Sequence, residues 1–348
     1  MDKEKVSPKM EYAHLSFDCF PLSQTKINAI NDLFEEKSQR LEFLFDFSLY
    51  HNRWEELKKE DFIKNYTVEK GAESKIGVSE TRNFSLIERS IYNNDDSEGK
   101  EYLCKMIEEC KNLGIEVLLV NMPYPATNSA QKDANVVDGI AQKYNVDYLN
   151  FLYETDCVNY ITDFYDSDSH LNMSGAKKVS KKLGKYLVDN YKIEDRRNDN
   201  TYCDWHEDYK NYISYKEELI SNQSSLYNLL MLLYDEEKQG FVYVKAGSDI
   251  LKDELFAQLL YNIDVGIKVE EALQKRKDYI AIFGSDLRIE ILEPQLCETD
   301  FGNINIVRDD EKIYVTLNDE VLAEMELDDK VCVSVLDADA DVISVICE

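Results

Sequence analysis

Residues 115–121, Ile-Glu-Val-Leu-Leu-Val-Asn, form a near-continuous apolar run between Gly114 and Pro123. Such a run suits a strand covered on both faces, as in a parallel sheet. Amphipathic patterns surround it. Leu103, Met106, Ile107 and Cys110 mark a helix over 101–113 that Gly114 closes. Val136, Val137, Ile140 and Ala141 mark a second helix over 129–143. A second strand is predicted over 146–151. A third helix, over 174–191, turns Val179, Leu183, Tyr186 and Leu187 inward. This is α/β order, with parallel strands and right-handed crossovers. Two strands do not make a stable sheet buried on both faces. Either the first hundred residues supply more strands, which their pattern barely supports, or the domain is incomplete.

The rest of the chain divides around this segment. Ser23 is placed to cap a helix whose Ile27, Ile30, Leu33 and Phe34 share a face. Residues 41–54 are rich in aromatics, and 56–95 read as loops and short elements. A charged, turn-rich linker over 194–200 leads into helical residues 205–233. Beyond it, short strands are predicted at 241–245, 279–283, 287–292, 304–307, 313–317, 331–336 and 342–347, with one helix at 253–262. The expected organisation is an α/β domain over 1–195, a helical linker over 196–235 and a smaller, acidic, strand-rich α+β domain over 236–348. Residues 330–345 read as a hairpin about an acidic turn and resemble strands of interleukin-like EMT-inducer domains. Asp337, Asp339 and Asp341 lack the glycine and distal glutamate of a calcium loop.

Charge narrows the partners. With 40 basic and 69 acidic residues the net charge is −29, and residues 290–348 alone hold 17 acidic and three basic residues. That surface repels nucleic acid and anionic lipid. It reads first as a solvated, solubilising surface. The eight cysteines (Cys19, Cys104, Cys110, Cys157, Cys203, Cys297, Cys332 and Cys347) show neither Cys-x-x-Cys pairs nor zinc spacing. They are expected to be reduced thiols, with no metal and no cofactor. No apolar run approaches the ~18 residues of a membrane span, and the start of the sequence has no secretory pattern. A cytoplasmic location is expected, or an envelope-associated one if an upstream segment is missing.

Chemistry concentrates at 163–176, Asp-Phe-Tyr-Asp-Ser-Asp-Ser-His-Leu-Asn-Met-Ser-Gly-Ala, ahead of a basic helix. His170, one of only four histidines, has Asp166 and Asp168 four and two residues before it. A carboxylate beside an imidazole is how a hydrolase orients a general base. Open α/β sheets place their sites at strand carboxyl ends, which brings in Asn121 and Tyr124. The block Asp-…-His-Leu-Asn-x-x-Gly-Ala, with the helix and strand over 102–125, resembles the last conserved part of SGNH/GDSL hydrolases. The likeness covers about 98–190 and is greatest to members that act on bacterial surface polymers, in lipoteichoic acid D-alanylation and alginate O-acetylation. It implies a partial SGNH-like, three-layer parallel-sheet fold. It also implies that His170 is the general base, that Asp166 or Asp168 is its orienting acid, and that Asn172 and Gly175 shape the loop. The segment Tyr50-His51-Asn52-Arg53-Trp54 reads as a sugar- or ester-binding wall, with His51 and Trp54 as contacts, or as a packed aromatic cluster. Residues 202–209, which include Trp205 and Tyr209, read as a site cover or as an aromatic helix start.

The family's nucleophile turn is missing. Gly77-Val78-Ser79 follows no predicted strand. Gly284-Ser285 follows one, but it comes after the histidine and precedes a strand rather than a helix. The expectation is the carboxyl part of an SGNH-like protein, truncated, split or decayed. Its substrate would be acylated carbohydrate, a cell-surface polymer or a small ester. Turnover would be incomplete without a serine and oxyanion donors. The alternative is a non-catalytic carbohydrate-binding or assembly module.

Overall fold

The computed structural model describes residues 17, 20–44, 69–70, 72–79, 81, 83–93, 97–167, 169–234, 238–284, 287–299, 302–326, 330–337 and 341–347. The chain forms two compact units, Met1–Thr67 and Val68–Glu348.

In the first unit, α1 (Gln24–Leu33) begins where the Ser23 hydroxyl accepts from the Lys26 N–H at 3.2 Å, and α2 (Lys37–Leu44) follows. Phe34 and Phe43 stack at 4.5 Å and enclose Ile30 in a small core. Leu33, expected inside, is exposed. The helix ends at Leu33, and the extended backbone of Phe34 turns that ring inward instead.

In the second unit, α3 (Glu98–Asn112), β1 (Leu118–Asn121), α4 (Asn128–Tyr144), β2 (Asp147–Asn150) and α5 (Met173–Asn190) follow the predicted order. The two strands pair in parallel, from Leu118 opposite Asp147 to Asn121 opposite Asn150. The expectation of a doubly covered strand over 115–121 is corrected. Four residues are strand, Val120 is exposed and its neighbours are half-buried. The cause is the width of the sheet, because β1 has one strand partner among the described residues. Met106, placed inward by periodicity, is also exposed on α3.

The remainder is mixed, with strands predominating towards the carboxyl end. Helices α6 (Cys203–Ser221), α7 (Leu226–Leu232), α8 (Glu254–Asn262) and α9 (Val269–Lys275) accompany strands β3 (Gln239–Val244), β4 (Tyr279–Phe283), β5 (Arg288–Ile291), β6 (Leu296–Thr299), β7 (Gly302–Arg308), β8 (Lys312–Leu317), β9 (Glu320–Glu326), β10 (Val331–Leu336) and β11 (Val342–Cys347). A five-stranded antiparallel sheet, ordered β11-β10-β3-β4-β5, lies between helices and a four-stranded meander, β6-β7-β8-β9. Side chains alternate accordingly. Val242, Val244, Ala281 and Val333 pack with Leu229, Phe256 and Leu260 of the helices. Phe241, Tyr243, Ile280 and Ile282 pack with Ile304, Ile306, Ile313 and Val315 of the meander. Cover on both faces makes β4 and β10 buried throughout.

Cys332 and Cys347 lie opposite one another on β10 and β11 and are joined in a disulfide. This corrects the expectation of eight unpaired thiols. Hairpin register makes the pair, so no short cysteine spacing announces it. No described helix is long and apolar enough to cross a membrane.

Candidate functional site

The loop after β2 is closed by short-range bonds. Phe164 and Leu171 form an antiparallel bridge, the Tyr165 N–H donates to the His170 carbonyl at 3.0 Å, and the Asn172 N–H donates to the Asp163 carbonyl at 3.0 Å. Within that loop one oxygen of Asp166 accepts the backbone N–H groups of Ser169 and His170, at 2.8 and 3.0 Å. Its other oxygen lies 2.5 Å from His170 Nδ1. A carboxylate held by two backbone donors cannot swing away, so it fixes the imidazole plane. With Nδ1–H given to Asp166, Nε2 carries the lone pair that a general base needs.

The base of the loop is built by buried polar groups. Asn172 is fully buried. Its carbonyl oxygen caps α5 by accepting the Gly175 N–H at 3.0 Å, and its amide donates to the Thr162 and Gly77 carbonyls at 2.7 and 2.9 Å. These bonds make Asn172 a capping residue with its donors engaged. Gly175 is required by a close approach, since a Cβ there would meet the Asp163 carbonyl oxygen at 2.3 Å. Asp163, also fully buried, accepts from the Asn159 N–H, the Thr162 and Ser174 hydroxyls and the Lys178 ammonium at 2.7–3.2 Å. Lys178 then donates to Asn262 of α8 at 3.1 Å, and Asn262 donates to the Thr162 hydroxyl at 3.1 Å. Sequence reasoning missed this network. Its one signal was a third acid, Asp163, seven residues before the histidine.

Of the other predicted residues, Asn121 and Tyr124 are described, and each has partners of its own. Asn121 sits at the carboxyl end of β1, but its amide donates to Asn150 at 2.9 Å. Tyr124 packs beside Ala126 and Leu152, and burial raises its phenol pKa, with Asp133 adding to the shift. Asp168, His51 and Trp54 lie outside the described residues, as does Ser285. The Ser79 N–H donates to the Phe164 carbonyl at 2.9 Å, which brings that segment alongside the loop. Among the described residues, however, the only side-chain hydrogen-bond partner of the imidazole is Asp166. The His170 side chain is 68% exposed. Water therefore competes at Nε2, and little excludes it from any reaction there.

Two clefts flank α5, and neither is lined by His170. One, of about 740 Å³, lies between α5 and residues 155–160. Tyr160 forms part of it, stacked on Phe164 at 5.1 Å, and burial pushes its phenol pKa up to about 12. The other, of about 1340 Å³, is a trough between α5 and α6. Trp205 and Tyr209 are exposed on it, with the Lys70 ammonium 4.6 Å over the Trp205 ring. Among the described residues no group of three or more His, Cys, Asp or Glu side chains is placed to hold a metal ion.

Comparison with family models, curated proteins and solved structures finds no match to this chain.

Proposed function

We propose that this chain is an SGNH/GDSL-type ester hydrolase- or acyltransferase-like protein that acts on acylated carbohydrate, with His170 as general base and Asp166 as its orienting acid. One observation carries the reading: the 2.5 Å contact between Asp166 and His170 Nδ1, on a loop that leads directly into the Asn172-capped helix α5. That arrangement leaves Nε2 as the atom that would take a proton from an attacking hydroxyl. Among the described residues no hydroxyl is hydrogen-bonded to the imidazole, whose side-chain partner is Asp166. The SGNH-like layering belongs to the same proposal, with β1 and β2 as two strands of its parallel sheet.

A specific observation favours the second reading, a carbohydrate-binding or assembly module without turnover. The imidazole is largely exposed, and the clefts lie elsewhere. Hydrolysis of p-nitrophenyl acetate separates the two. The first predicts slow hydrolysis that His170→Ala lowers by about a hundredfold or more, the range of a positioned base. Hydrolysis that is indifferent to His170→Ala sinks it. Absence of turnover together with retained glycan binding leaves the second reading.

A further inference from the structure

We infer that the Cys332–Cys347 disulfide is a redox latch on the edge strand β11. A small dithiol opens it at the Cys347 sulfur, and β11 then loosens together with α6, the helix that rests on it. This is independent of turnover at His170.

Position is the first argument. Strand β11 lies at the margin of the five-stranded sheet, with β10 as its strand neighbour. Its two ends are held differently. At the turn, the Asp337 N–H donates to the Asp341 carbonyl and the Asp341 N–H to the Asp337 carboxylate, both at 2.9 Å. At the other end the tie is covalent, from the second residue of β10 to the last of β11. The bond spans a sequence separation of 15, and opening it returns that loop's freedom to the open strand. Two unbonded sulfurs also need more room than a bonded pair, so reduction moves β11 away from β10 at that end. Ser344 and Ile346 of β11 are buried, and Ile346 joins the helix-side core with Leu229 and Val333. Helix α6 rests on β11 and α7 and walls the larger cleft. The oxidised latch therefore fixes a wall of that cleft.

Access is the second argument. Cys332 is fully buried against the meander, opposite Tyr243, whereas Cys347 is exposed. Attack therefore falls on the Cys347 sulfur. One thiolate of the dithiol bonds to it, the S–S bond breaks, and the Cys332 sulfur leaves with the electron pair and takes a proton. The reagent's second thiolate then displaces the Cys347 sulfur, which also takes a proton, and the reagent becomes a cyclic disulfide. Two electrons pass to the protein, and both cysteines end as thiols. A thiolate is disfavoured in the apolar surroundings of Cys332, so its protonation and the lifting of β11 go together. Five other cysteines, Cys104, Cys110, Cys157, Cys203 and Cys297, carry free thiols, and Cys203 is exposed. A disulfide that stands among free thiols and presents one sulfur to solvent is of the exchangeable kind.

The test uses the full chain, first treated with oxidised glutathione and then with dithiothreitol in the absence of denaturant. Iodoacetamide labelling in denaturant, read by mass spectrometry, reports the pair. Cys332 and Cys347 are expected to be protected before dithiothreitol and labelled after it. Hydrogen exchange reports the strand. Amides of β11 and α6 should exchange faster after reduction by about tenfold or more, with β3 and β4 unchanged. Return of oxidised glutathione should slow them again. Cys347→Ser, at an exposed position, should show the fast rates under both conditions, with circular dichroism as the check on its fold. The two redox states of the parent chain need no variant, so they decide the question even where Cys347→Ser fails to fold. Labelling of both cysteines before reduction overturns the inference, as does a disulfide that dithiothreitol opens only in denaturant. Equal exchange of β11 or of α6 in the two states overturns it too.

Discussion

Tyr243 shows how a single buried group is held. Its ring is fully buried between the central sheet and the meander, and its hydroxyl has no hydrogen-bond partner among the described residues. Burial is the main cause that pushes the phenol from its ordinary value near 10 up to about 12. A raised pKa means that the folded state favours the neutral phenol. Its stability is therefore complete below about pH 10 and is lost as pH climbs through about 12. Tyr243→Phe removes an unsatisfied polar atom and keeps the ring. It should leave stability unchanged or raise it by about 1 kcal/mol, and it should make alkaline unfolding less steep. Denaturant melts at neutral pH and near pH 11 measure both effects, and a loss above about 1 kcal/mol would reveal a partner for the hydroxyl.

Strands β1 and β4 carry similar apolar runs and meet opposite environments. Ile280 of β4 is fully buried, so Ile280→Ala should lower stability by about 2–5 kcal/mol. Val120 of β1 is exposed, and Val120→Ala should change it by less than about 1 kcal/mol. Urea titration of the two variants tests whether sheet width, rather than composition, sets burial. The same contrast explains what was legible in the sequence. Strands β4, β10 and β11 were readable to the residue, since apolar runs between turn residues leave little choice. Strand β9 was not. Glu-Val-Leu-Ala-Glu-Met-Glu is rich in helix formers, and it is a strand because Asn318 and Asp319 turn it back onto β8 with positive φ angles of 48° and 72°. At the site, pairing of His170 with an acid was legible because it spans five residues. Spacing alone could not choose between Asp166 and Asp168; the loop's own N–H groups hold Asp166 against the imidazole, and Asp168 lies outside the described residues. The Asp163–Lys178–Asn262 network was hidden because its members meet only after three distant segments fold together.

That network bears on how the second unit coheres. Asp163 follows the parallel strands, Lys178 lies on α5 and Asn262 ends α8 against the central sheet. The carboxylate is fully buried and the Lys178 side chain is 12% exposed, so the dielectric around the pair is low and the desolvation of each charge is large. Removing one partner leaves the other charged and uncompensated. Lys178→Met or Asp163→Asn should each lower stability by about 3–5 kcal/mol. The double variant should lose less than the two single losses added together, because neither charge is then stranded. Since the ends of the network lie on elements of different layers, the loss should shift one cooperative transition rather than split it in two. A double-mutant cycle read by both far-ultraviolet circular dichroism and tyrosine fluorescence checks this. Coincident curves with a coupling of about 1–3 kcal/mol are expected. Separate transitions, or strict additivity, would mean that the buried pair stabilises only the loop around His170.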